Sequence, residues 1–273
     1  MSRAPDFREA YPISAKAAVY TPVIFRAGME YLVDLPWPSL EGIRDFARFC
    51  NIGDSAMRTA LSRAKADGGL LIKRDAVGTN RYHMAASRFE MGKTVIHGDE
   101  RPEGFIIAVF SFKSDDANER AALRDLLKDF GFKKLAQNTY INGCIETAGL
   151  RASARELGLD KHLYLFTCPD IEDRDLVNKI LDLFDLEAKK KELGEYLSLL
   201  WDFLPDGLPK DELARRLLYI GPVHYERCEA GEPPFPAKYL PSDYPLKEIQ
   251  GFYGRRLEEG RQWILEYYSE ANA

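Results

Sequence analysis

The chain has 273 residues, of which 45% are hydrophobic, 12% aromatic and 30% charged, with a formal net charge of −5. That mixture excludes a disordered or fibrous protein and exceeds what one hydrophobic core usually spans, so two or three units are expected. It also excludes a protein basic all over, so any nucleic-acid binding has to come from a local basic patch.

Apolar runs such as Phe105 to Phe110 fall far short of the roughly 20 residues a bilayer span needs. Met1 to Ala10 carries charges of both signs and no apolar core, so no secretion signal is read there and the expected location is the cytoplasm. Cys50, Cys144, Cys168 and Cys228 lie far apart, which fits reduced thiols rather than a disulfide framework. His162 with Cys168 and His224 with Cys228 each offer two ligands, but no CxxC pair accompanies them. Neither a metal nor another cofactor is expected.

Thr21-Pro22 reads as a helix start, with the helix running to about Val33. Leu35-Pro36-Trp37-Pro38 breaks it, and Ser39 caps a second helix with Leu40, Ile43, Phe46 and Ala47 inward. After the turn Asn51-Ile52-Gly53, Asp54 caps a third helix in which Met57, Ala60, Leu61 and Ala64 share one side. Ser55, Arg58, Thr59, Ser62 and Ala66 follow on the opposite side, flanked by Arg63 and Lys65. Leu70 to Lys73 and Arg81 to Met84 read as two strands around Ala76 to Asn80.

Two helices, a short turn, a third helix and a basic hairpin are the parts of a winged helix-turn-helix, whose third helix enters the major groove. From Asp54 to Met84, six Lys or Arg outnumber three Asp. The expected DNA-binding residues are Ser55, Arg58, Thr59, Ser62, Arg63 and Lys65 on the helix, with Lys73, Arg74 and Arg81 on the wing. A protein-contact module with a solvated basic face is the other reading. Small Ser and Thr beside Arg suit base edges and phosphates better than a merely solvated face, which more often carries Glu and Lys pairs.

The run Ser55 to Arg63 followed by Gly68-Gly69-Leu70 resembles the recognition helix and following wing of PaaX-type repressors, which control phenylacetate degradation operons. Phe105 to Phe112, Glu119-Arg120, Leu123-Arg124, Phe130-Gly131-Phe132 and Tyr140-Ile141 look like that family's middle domain. Pro234 to Pro245 resembles its C-terminal Leu-Pro-x-Asp-aromatic-Pro signature. Met29-Glu30-Tyr31 stands near where the family shows Gly-Asp-Tyr, and only Phe105 represents the tryptophans expected before the first middle strand, which sets the chain apart from the founding members.

The residues of the middle part speak independently. Phe105 to Phe112 reads as a buried strand, Asn118 to Phe130 as a helix ended by Gly131, then a strand around Thr139 to Ile141, a helix from about Ile145 to Leu157 and a strand from Leu163 to Thr167. That order opens a ferredoxin-like α/β sandwich. The family's middle domain resembles a small CRISPR-associated nuclease, so a metal-dependent nuclease is the enzyme alternative. The strand end Phe110 to Lys113 lacks the carboxylate a metal would need, and Asp115 and Asp116 read as helix caps.

From Glu187 the chain turns helical, with Leu193, Tyr196, Leu197, Leu200 and Trp201 on one face, and a second helix covers Glu212 to Ile220. Pro233 to Pro245 is a rigid extended connection. A last helix over Leu246 to Tyr268 carries an apolar stripe that serves either as core or as a subunit interface. The whole reads as α+β: a winged helix-turn-helix over 17–97, a ferredoxin-like middle domain over 104–186, and a mainly helical C-terminal domain over 187–273.

No nucleophile motif, GxGxxG or P-loop is present, and His83, His97, His162 and His224 share no spacing. No catalytic residue is assigned. The expected function is a homodimeric, ligand-responsive regulator on double-stranded operator DNA. The resemblance implies a repressor released by an acyl-CoA thioester, in the founding case phenylacetyl-CoA. Arg120, Arg124, Lys133, Lys134, Arg151 and Arg155 are the candidate cations for such a ligand, and Trp201 an aromatic candidate.

Overall fold

The computed structural model describes residues 6–28, 34–84, 103–112, 117–143, 147–230 and 235–270. It is an α+β protein with two small antiparallel sheets, and its contacts divide it into two compact units. One unit holds Met1–Gly98, Leu193–Gly231 and Pro245–Ala273, and the other Asp99–Glu192 and Glu232–Tyr244. The C-terminal helices thus share a unit with the N-terminal module, where a linear division at 97 and 186 had been expected. Among the described residues, no helix is long and apolar enough to cross a membrane.

In the first unit, α1 (Phe7–Ala10) precedes α2 (Ala15–Gly28). Helix α2 starts six residues before the expected Thr21-Pro22 and carries Pro22 inside it. The reason lies at Ser14, whose Oγ accepts from the N–H of Ala17 at 3.1 Å and so supplies the cap. Thr21 turns its hydroxyl back to Ala17 O at 2.8 Å, a mid-helix bond rather than a cap.

Ser39 caps α3 (Leu40–Phe49) as expected, accepting from Gly42 N at 3.1 Å. Asn51 takes a positive φ of 59° in the turn, a conformation asparagine tolerates well. Helix α4 (Asp54–Ala66) is capped by Gly53, and Asp54 is its first residue rather than its cap. Met57, Leu61 and Ala64 are buried at the expected spacing. Strands β1 (Leu70–Arg74) and β2 (Asn80–Met84) then pair antiparallel from Leu70↔Met84 to Arg74↔Asn80. Tyr82 N–H donates to Pro38 O at 2.9 Å, and Arg81 bridges to Ser39, which fastens this hairpin to the start of α3.

Two helices from the far end of the chain complete this core. They are α9 (Lys210–His224) and α10 (Leu246–Glu270). Leu246, Ile249, Tyr253, Ile264, Tyr267 and Tyr268 are buried, so the apolar stripe of the last helix is core within the unit. Tyr267 donates to Gly42 O at 3.4 Å and Tyr268 to Pro22 O, tying α10 to α3 and α2. Close approach requires two glycines: a Cβ on Gly221 would overlap the Phe25 ring, and one on Gly260 would overlap Leu217.

The second unit is built on a four-stranded sheet. Its members in chain order are β3 (Phe105–Phe110), α5 (Ala117–Asp129), β4 (Lys133–Ala136), β5 (Thr139–Gly143), α6 (Ala148–Glu156) and β6 (Leu163–Cys168). The spatial order is β4-β5-β3-β6, with every neighbouring pair antiparallel. Strand β4 was not expected. Period-two alternation sends Ile106, Ala108 and Phe110 to one face, where they pack with Leu123 and Leu127 of α5 and Leu150 of α6.

The other face carries Phe105, whose ring lies 5.2 Å from Phe235 and 5.4 Å from Tyr239. The proline-rich stretch is therefore a strap on this face, fixed by Lys238 to Asp170 at 3.0 Å and by Lys190 to Asp243 at 2.6 Å. Helix α7 (Arg174–Leu183), which the sequence had not suggested, follows, and α8 (Leu186–Phe203) passes into the first unit from Leu193 onward.

Candidate nucleic-acid interface

Helix α4 positions the first candidate surface. Because Met57, Leu61 and Ala64 face inward, the 3.6-residue period turns Ser55, Arg58, Thr59, Ser62, Arg63 and Lys65 outward, and all six are exposed. Thr59 Oγ1 donates to Ser55 O at 2.9 Å, which leaves its lone pairs outward. Lys73 and Arg74 are exposed on β1.

Pairing separates these cations from their neighbours. Arg44 and Arg48 sit beside both Glu41 and Asp54, with Arg44 Nε 3.8 Å and Arg48 Nε 3.9 Å from the Asp54 carboxylate. Among the described residues, Arg58, Arg63, Lys65, Lys73 and Arg74 make no ion pair. A solvated helix face ordinarily neutralises itself with carboxylates one turn away. Here Asp54, one turn before Arg58, lies instead beside Arg44 and Arg48, and Asp67, one turn after Arg63, forms no ion pair with it.

Arg81 is a correction. The sequence placed it among the cations offered to phosphate, but it is buried at 6% exposure, and its Nε donates to Asp75 Oδ2 at 2.7 Å. Asp75 Oδ1 in turn accepts from Val77 N and Thr79 N, so the pair organises the hairpin turn. The Arg81 hydrogen bond holds the Asp75 carboxyl below the usual range. Arg81→Ala is expected to leave the Asp75 carboxylate without the guanidinium that anchors it in the hairpin turn. Amide exchange across residues 70–84 of the free protein should then quicken by roughly tenfold or more. A phosphate contact would instead weaken DNA binding and leave that exchange unchanged.

A second surface lies within the sheet unit. Phe110, Tyr140, Arg120, Arg124, Lys134, Gln137 and Asn138 line a cleft of about 570 Å³ at the start of α5. Its floor is aromatic, with Phe110 and Tyr140 ring centroids 5.9 Å apart. Arg120 and Arg124 are one turn apart on α5, and Arg124 Nε donates to Arg120 O at 3.0 Å. Lys134 arrives from β4 because it pairs with Tyr140, while Lys133 pairs with Ile141 and takes the alternate face.

Three of the seven effector candidates therefore converge, and among the described residues that line the cleft none is a carboxylate. A cleft of similar size in the first unit differs, since Glu41, Asp45, Asp211 and Glu266 there outweigh Lys210 and Arg215. Lys133, Arg151 and Arg155 are exposed elsewhere in the sheet unit, and Trp201 is exposed in the other unit.

No protein-family model matches the chain, and no curated protein matches it. A solved structure shares the fold. It is that of Rv0674, an uncharacterised protein from Mycobacterium tuberculosis, similar at a TM-score of 0.56 and 15% identity over 93% of this chain and 98% of that one. At such identity the likeness concerns the arrangement of the elements alone.

Two titratable residues outside these surfaces have structural settings. His162 stacks on Phe112 at 4.3 Å and lies 3.0 Å from Ser111 O through Nδ1. Cys50 is a buried free thiol pushed up to about 12 by burial. Asp115 and Asp116, the carboxylates weighed for a nuclease, lie outside the described residues, as do His97 and Cys144.

Proposed function

We propose that the protein is a ligand-responsive, DNA-binding transcriptional regulator acting as a repressor, with α2 to α4 and the β1–β2 hairpin as a winged helix-turn-helix. The observation that carries this reading is the exposed row of Arg58, Arg63 and Lys65 on α4, which makes no ion pair among the described residues and is continued by Lys73 and Arg74 on β1. Ser55, Thr59 and Ser62 lie between these cations, short enough to let the helix backbone approach base edges. The second unit is read as a ferredoxin-like domain, on the β4-β5-β3-β6 order of its antiparallel sheet.

The basic cleft of that domain is the proposed effector site. Its three cations suit a multiply charged anion, and the Phe110–Tyr140 floor suits an apolar group attached to it. The resemblance to PaaX-type repressors supplies a candidate of that chemistry, an acyl-CoA thioester. For release, the ligand has to bind the DNA-free form about 100-fold better, roughly 2.7 kcal/mol.

Selecting bound fragments from random double-stranded DNA, with the full chain, tests the reading. The expected result is a palindromic sequence whose binding weakens steeply with salt, by about 0.9 in log–log slope per phosphate neutralised. Adding phenylacetyl-CoA or related thioesters should release it, and Arg120→Gln with Lys134→Gln should abolish that release while DNA affinity stays. Recovery of no sequence would remove the repressor reading, and metal-dependent cutting of the DNA would replace it with the nuclease.

A further inference from the structure

The two edges of the four-stranded sheet are built differently. Strand β4 carries exposed Lys133 and Lys134, and its pairing with β5 shifts register between Lys134 and Ala136. Charge and irregularity are what keep an edge strand from pairing with another chain. Strand β6 at the opposite edge reads Leu-Tyr-Leu-Phe-Thr-Cys, with no charge and no proline, and it stays in unbroken register with β3 from Phe105↔Cys168 to Phe110↔Leu163.

Its outer backbone, at Leu165 and Thr167, has no partner among the described residues. Ser111 N–H donates to His162 O at 3.1 Å, which fixes the alternation, so Tyr164 and Phe166 direct their N–H and C=O groups toward β3 while Leu165 and Thr167 direct theirs outward. Among the described residues, no backbone hydrogen bond reaches those outward groups of Leu165 and Thr167. Beside this edge, on the sheet face shared with Ile107 and Val109, Tyr164 and Phe166 are 51% and 55% exposed. Adjacent exposed aromatics on an unprotected strand are a liability in a protein that keeps the strand free.

We infer that β6 is a dimerisation edge, at which a second copy of this chain adds its own β6 antiparallel about a two-fold axis, joining the two sheets. A second copy fits because the strand complements itself. Antiparallel pairing sets the outward N–H groups of one copy opposite the C=O groups of the other, and a segment without charge meets its copy without like-charge repulsion. Tyr164 and Phe166 then meet the same aromatics across the axis, as an isologous contact requires. This inference deepens the DNA-binding reading, which calls for paired modules, but its test involves no DNA. Either can therefore fail alone.

The test measures the mass of the full chain by sedimentation over a range of concentrations, together with amide exchange of residues 163–168. The wild type should be a dimer in which Leu165 and Thr167 amides become protected as concentration rises. Phe166→Glu should raise the dimer dissociation constant roughly 30-fold or more, by placing like charges at the axis. Thr167→Pro, whose missing N–H points away from β3, should do the same while amides over 105–110 and 139–143 stay protected and show the sheet intact. A chain that is monomeric throughout overturns the inference. So does a dimer that neither substitution weakens while the sheet is intact, or a monomer that captures an extended peptide at this edge instead.

Discussion

Replacing Arg58 and Arg63 together by alanine is expected to weaken binding to the selected operator by ~2–6 kcal/mol, at ~1–3 kcal/mol for each bidentate base contact. Both side chains are exposed on α4 and have no carboxylate partner among the described residues, so truncation removes charge and hydrogen-bond donors without disturbing the fold. Binding to random DNA should fall less, because only the phosphate attraction of the two charges is lost there. Lys73→Ala and Arg74→Ala should weaken operator and random DNA alike and lower the salt slope by about 1 each. Fluorescence anisotropy on both DNAs, across a salt series, gives all of these numbers. Equal losses on operator and random DNA for the double variant would take sequence recognition away from α4, and unchanged binding would remove it from the interface.

The parts that sequence patterning located well are those whose signal is local. Ser39 at the cap of α3, the Met57, Leu61 and Ala64 stripe of α4, and the apolar run of β3 each lie within a few residues of what they determine. The failures needed partners from elsewhere. Strand β4 has four residues, reads Lys-Lys-Leu-Ala, and exists because β5 pairs with it across a tight turn at Asn138, whose φ is 57°. Without that strand the sequence offers Lys133 and Lys134 alike, and nothing in it says which of them joins the cleft. The spacing of Arg120 and Arg124 showed one wall, whereas Lys134 reaches it only through pairing with Tyr140. Arg81 shows the same limit from the other side. In sequence it is one more cation in a basic hairpin, and nothing about its type distinguishes a guanidinium held by Asp75 from one offered to a phosphate. The grouping of α9 and α10 with the N-terminal helices rests on contacts across more than two hundred residues, such as Tyr219 to Tyr11 O at 3.0 Å, which no window of sequence contains.

Stability of the first unit is expected to fall by about 3 kcal/mol between pH 7 and pH 4, and His224 is the main cause. This histidine ends α9, is 7% exposed, and lies against the Tyr253 ring at 4.5 Å with Tyr196 Oη 3.5 Å from its Nδ1. Burial pushes its pKa down to about 4, whereas in the unfolded chain it returns to about 6.5. Above that unfolded value neither state holds the proton, and the full stability is present. As pH falls from about 6.5 toward 4 the unfolded chain takes up a proton that the folded unit refuses, so unfolding gains in proportion to pH. Below about 4 both states are protonated and this group adds no further loss. His83 contributes in the same direction, since burial and the nearby Lys73 and Arg26 lower its pKa as well. The measurement is urea unfolding at several pH values followed by tryptophan fluorescence, because all three tryptophans, Trp37, Trp201 and Trp263, belong to the first unit. His224→Gln keeps an acceptor for Tyr196 and removes the titration, so most of the slope between pH 6.5 and 4 should vanish whatever the variant's absolute stability. A variant that retains the wild-type slope would place the acid sensitivity elsewhere in the unit.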